Sequence, residues 1–197
     1  MTTPGAALHS GRGRAAFRAA SLPGTVDEVH PGGWQDTGRD IMRRTYTVLA
    51  WIIAAGVFVQ AAAIAFGFAG MAGYVQGGGV VDKALVESQT AGNFTGELGF
   101  PIHAIVGGMV IPFAALALVV VSFLVRVPGA RKWAAIVLGL VVVQAMLGYS
   151  ITDLPYLGLI HGANALAVLL SSVQAARLVA RAEARPTDST VTASASV

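Results

Sequence analysis

The chain has 197 residues, 55% hydrophobic and only 12% charged, with a formal net charge of +3 and a mean hydropathy of +0.68. Soluble domains carry about 25% charged residues, so this is the composition of a membrane protein. The absence of cysteine excludes disulfides, thiolate metal sites, iron–sulfur clusters and covalent c-type haem attachment. The scattered basic residues lack interleaved aromatics and make no nucleic-acid footprint.

Residues 1–43 are rich in Gly, Pro, Ala, Ser and Arg and are expected to form a disordered cytoplasmic tail. No apolar core of a cleavable secretory signal stands ahead of the first long apolar block. Arg12, Arg14, Phe17 and Arg18 form a short basic stretch, read as solvated or in contact with anionic lipid. The transmembrane domain is expected over 44–180, with helices at about 46–70, 100–125, 133–151 and 154–176. Each apolar block approaches or exceeds the roughly 20 residues that span a bilayer as a helix. Lipid offers no partner for free backbone groups, so an all-α fold is required. Residues 181–197 are expected to be a second disordered tail.

Charge placement sets the expected orientation. Arg12, Arg14, Arg18, Arg39, Arg43 and Arg44 precede the first span, Arg126, Arg131 and Lys132 join the second and third, and Arg177, Arg181 and Arg185 follow the fourth. Lys83 is the sole basic residue of the other loops. The positive-inside rule then puts both termini in the cytoplasm of a plasma-membrane protein. The loop 71–97, with helix-capable residues Lys83–Ser88, and the turn Thr152–Pro155 face outside. Short connections make the last three helices antiparallel neighbours, giving an up-down four-helix bundle. Pro112 is expected to kink the second span or leave a carbonyl unpaired.

Two histidines fall inside the spans. His103 follows Gly99, Phe100 and Pro101; His161 lies shortly after Pro155. Both helices descend from the same surface, so both rings are expected about 5–10 Å below it at 1.5 Å rise per residue. A titratable group in a span is costly and is a functional candidate by default. Two neutral imidazoles at one depth suit the two faces of a haem iron, and haem b is the expected cofactor, with His103 and His161 as its metal ligands. Gly107 and Gly108 follow His103, and Gly162 and Ala165 follow His161, small residues beside which a porphyrin plane fits. Phe100, Phe113, Met109 and Met146 are candidate apolar walls, and Asn164 a candidate hydrogen-bonding partner one turn from His161. The alternatives for the pair are a structural interhelical contact, another metal or proton handling.

Gln60 and Gln144 stand mid-span in the first and third helices. A buried amide must find a partner. They are read as interhelical hydrogen-bonders or as the lining of a cofactor or quinone pocket. Gln60 precedes Gly67 and Gln144 precedes Gly148, while the second and fourth spans each carry a histidine, the outline of a two-plus-two repeat. Glu97 is read as a solvated carboxylate, or as a group serving a redox partner or a proton.

The stretch QAMLGYSITDLPYLGLIHGANALAVLL, beginning at Gln144, and PIHAIVGG, from Pro101 to Gly108, resemble haem A synthase-like proteins. The resemblance covers about 44–180 and is to one half of such a synthase. It implies a cytochrome b-like four-helix bundle with haem ligands at His103 and His161. The synthase's glutamate three residues before the first histidine is replaced by Phe100, and its paired loop cysteines are absent. Haem a synthesis by this chain alone is therefore not expected. The expectation is one haem b per chain in electron transfer or haem handling, with a quinone or redox protein as partner and an oligomeric state left open. The alternative is a cofactor-free membrane scaffold or accessory subunit of a larger complex. A transporter is disfavoured because no acidic residue lies mid-span.

Overall fold

The computed structural model describes residues 33–87 and 92–184, the side chains of 33–36 excepted. Among these residues all regular structure is helical. Helix α1 covers Gly33–Gln76, the short α2 Lys83–Glu87, α3 Gly99–Ser122, α4 Ala130–Ser150 and α5 Leu157–Glu183. Four of the five are long and apolar enough to cross a membrane, the mark of a multi-pass membrane protein.

Helix α1 is longer than its apolar block. It starts at Gly33 and runs to Gln76, because the polar Gln35, Arg39, Arg43 and Arg44, with Met42, are strong helix formers. The span Thr37–Gln76 has 40 residues, about 60 Å at the standard rise, twice the hydrocarbon thickness. Helix α5 likewise continues to Glu183. The tails expected over 1–43 and 181–197 therefore give helix at 33–43 and 181–183, and residues 1–32 and 185–197, with Arg12, Arg14, Arg18 and Arg185, lie outside the described residues. Asp82 Oδ1 accepts from the Leu85 N–H at 2.9 Å and starts α2.

Helix α3 is interrupted by a π turn over Val106–Val110. The Ile111 N–H reaches back to the Val106 carbonyl, five residues away. Pro112 has no N–H and its ring crowds the carbonyl of the preceding turn, and the widened turn takes up that conflict. Gly129, at φ 89°, turns the chain from α3 into α4.

Helix α1 packs against α3 and α5, and α4 packs against the same two. Two contacts fix which ends meet. The Tyr46 hydroxyl donates to the Ala130 carbonyl at 2.9 Å, joining the start of α1 to the start of α4. The rings of His103 and His161 lie 6.2 Å apart, joining the starts of α3 and α5.

The tightly packed core fills only one half of this assembly. Tyr46, Ala50, Ile53 and Val57 meet Ile111, Ala115 and Leu118, Val137 and Val141, and Val168, Ala175 and Val179. Ala50, Ala115, Ala134, Ala175 and Ala176 are buried, and such small residues let helix backbones approach closely where lipid supplies no hydrophobic force. Ser122 and Ser172 are also buried, donating to the carbonyls of Val119 and Val168 on their own helices at 2.6 and 2.7 Å. Large side chains such as Phe58, Phe113 and Leu170 point outward, where acyl chains cover them.

The loop before α3 is seated on α1. Gly96 has φ 95° and faces the Phe66 carbonyl, where a Cβ would collide. The Phe94 and Phe100 rings meet at 6.4 Å, with Tyr74 tilted against Phe94 and Phe68 edge-on to Phe100.

Candidate functional site

The polar half of the structure gathers five groups from four helices: Gln60 of α1, His103 of α3, Gln144 of α4, and His161 and Asn164 of α5. Each histidine is gripped by a glutamine from the long helix before it in the chain. His103 Nδ1 lies 3.2 Å from the Gln60 main-chain carbonyl. The Gln60 side chain reaches the same ring. With its amide oriented so that the oxygen accepts from the Gly107 N–H, its nitrogen stands 2.7 Å from Nδ1, 3.3 Å from Nε2 and 3.3 Å from the His103 carbonyl. Nδ1 thus has two partners and one proton choice: it donates to the Gln60 carbonyl or accepts from the Gln60 amide.

Around His161 the direction is set. Asn164 Nδ2 donates to the Leu140 carbonyl at 2.9 Å and to Gln144 Oε1 at 2.7 Å. With its oxygen taken, Gln144 turns its NH2 toward His161, 3.1 Å from Nε2. Nε2 therefore accepts, and the ring proton sits on Nδ1. Nδ1 is buried and has no hydrogen-bond partner, an exposed cost in an apolar surrounding.

Glycine makes room for both arrangements. A Cβ at Gly107 would strike the Gln60 amide, and one at Gly148 would come 3.2 Å from His161 Cε1. The space beside Gly107 is thus filled by Gln60. Ala165 is half-buried and packs on the edge of the core. Met109, Phe113 and Met146 are exposed on the outer surface, so of the four candidate walls only Phe100 turns inward, edge-on to Phe68 at 5.3 Å. Near-uniform hydrophobicity along these helices gives no phase from which a sequence reading can tell an inner from an outer face.

The spacing of the rings can be tested against a shared metal. A metal–imidazole bond is about 2.0 Å, so two imidazoles on opposite sides of one ion place their ring centres about 6 Å apart. The observed separation is 6.2 Å, with the planes inclined by 52°. The separation is close to that value, while the Gln60 and Gln144 amides lie against the ring nitrogens. Among the described residues no group of three or more His, Cys, Asp or Glu gathers, so a closed four-ligand zinc site is not built here.

Comparison of the chain with protein-family models, curated proteins and solved structures finds no match. The site has to be read from its own chemistry.

Glu97 lies outside the spans and away from this network. Its Oε2 accepts from the N–H groups of Gly92 and Asn93, both at 2.7 Å, and its Oε1 from Asn93 Nδ2 at 2.9 Å. The Asn93 side chain is the main cause that holds its carboxyl below the usual range, helped by the main-chain donors and opposed by desolvation. The carboxylate pins the loop to the start of α3.

Proposed function

We propose that this chain is a membrane b-type haem protein in which His103 and His161 hold one iron between α3 and α5. The observation that carries this reading is the 6.2 Å separation of two imidazoles on different helices, the spacing a shared ion requires. We further infer an up-down bundle with both termini cytoplasmic in a plasma membrane, from the cations at the ends of the spans.

In this reading His103 donates Nδ1–H to the Gln60 carbonyl, which fixes the ring's orientation, and Nε2 would serve the metal once the Gln60 amide, 3.3 Å from it, moves aside. His161 presents its Nε2 lone pair, now capped by Gln144. To hold a metal, His161 Nε2 would have to give up the Gln144 amide, and Asn164 would still hold Gln144. Bound haem supplies one-electron chemistry. The protein's own groups orient the two rings and surround them with an apolar helix surface. Electron transfer to a quinone or redox protein, or haem handling, is the role that follows.

A second reading is favoured by the same network. Gln144, Asn164 and His161 already form an interhelical clasp, which a cofactor-free scaffold or accessory subunit would use as it stands.

Absorption spectra of the detergent-purified chain, oxidised and dithionite-reduced, separate the two. The haem reading expects a Soret band and a sharp reduced α band, both lost in His103→Ala and His161→Ala. A flat spectrum from haem-replete cells, with stoichiometric co-purification of a partner complex, leaves the clasp.

A further inference from the structure

We propose that the groove between the start of α4 and the last turns of α5 is a binding site for one anionic phospholipid. The groove has a volume of about 470 Å³ and is lined by Trp133, Leu170, Val173, Gln174 and Arg177. Its composition is graded. Leu170 and Val173 supply an apolar wall at membrane depth, and Arg177 stands two helical turns further along α5, with Gln174 between them. Trp133 is half-buried on the facing helix, with the amphipathic ring that favours headgroup level. Acyl chain, glycerol and phosphate meet complementary chemistry in that order.

Charge complementarity selects the headgroup. Arg177 is exposed and makes no ion pair among the described residues. Arg131 and Lys132 stand beside Trp133 in the first turn of α4, and Arg181 follows one turn after Arg177. No acid lines the groove. Arg131 leans over the Phe123 ring, 5.0 Å from its centre, which leaves Arg177 as the cation inside the groove. A guanidinium presents a planar fork that matches a phosphate, and basic pockets between spans take anionic lipid headgroups. A zwitterionic lipid carries its own ammonium into this cationic rim and gains less.

The site is tested on the full chain in detergent by intact-complex mass spectrometry, titrating phosphatidylglycerol against phosphatidylcholine with identical acyl chains. One lipid per chain is expected, with phosphatidylglycerol preferred by about fivefold or more, the worth of one cation near a lipid phosphate. Arg177→Gln removes the preference, whereas Arg43→Gln, at the start of α1, keeps it. Leu170→Trp fills the apolar wall and lowers retention of both lipids, an independent check should Arg177→Gln prove unstable. Equal retention of the two lipids by the unmodified chain overturns the proposal. So does a preference that survives both Arg177→Gln and Leu170→Trp.

Discussion

The two halves of this helix assembly are built to different rules. From Tyr46 to Val57, Ile111 to Leu118, Val137 to Val141 and Val168 to Val179, small and branched apolar residues are buried in close contact. Among the described residues, the half that holds His103 and His161 has no fully buried large side chain. There, amides and imidazoles are joined by hydrogen bonds between helices. The first half gains its stability from dispersion contacts that tolerate no rearrangement. The second uses bonds that are exchangeable one at a time.

Substitutions should expose this division. The largest loss of stability is expected in the packed half. Leu118→Ala removes a fully buried side chain and should cost about 2–5 kcal/mol, read as a lowered unfolding temperature in detergent. In the haem-free chain, His103→Ala and His161→Ala should lower that temperature less, because each removes interhelical hydrogen bonds and no packed core side chain. Gly107→Ala comes next. The new methyl collides with the Gln60 amide, so Gln60 must leave His103. Histidine tautomer signals in nitrogen NMR should then change at His103 and not at His161.

Asn164→Ala should have a smaller effect, about 0.6–1.7 kcal/mol, the range of interhelical hydrogen bonds in membranes. It also frees Gln144 Oε1, so the Gln144 amide loses its fixed direction and His161 Nε2 its obligatory donor. The same NMR measurement should show His161 sampling both tautomers. An unchanged His161 signal breaks the asymmetry drawn between the two glutamine–histidine pairs.

The smallest effect belongs to the loop. Glu97 has a folded pKa below its ordinary value of 4.5. Its contribution is therefore fully present above that value and is lost as pH falls through the lower, folded value. Hydrogen exchange at Gly92 and Asn93 should accelerate in that acid window and should be fast at all pH in Glu97→Gln. The core amides of α4 should show no such dependence.

Much of the fold was legible. Four apolar blocks read as four spans because lipid permits nothing but closed hydrogen bonding in each segment. The short loop helix at Lys83 was also readable, whereas the partners of Asn164, Gln144 Oε1 and the Leu140 carbonyl, were not. The start of α1 was not, since hydrophobicity is blind to a helix continued by arginine, glutamine and methionine. The π turn was foreshadowed by Pro112 only as a conflict, and its resolution depends on backbone geometry. The glycines near the histidines announced close approach. What approaches, the Gln60 side chain at Gly107 and the His161 ring at Gly148, depends on which face of each helix turns inward, and evenly apolar helices carry no such phase.

The central claim is that two imidazoles share one iron. Low-temperature electron paramagnetic resonance of the ferric, haem-loaded chain tests it most directly. The account predicts a low-spin signal with one haem per chain, converted to high-spin or lost in each of His103→Ala and His161→Ala. A low-spin signal that persists in either variant, or a chain that takes up no haem, contradicts it.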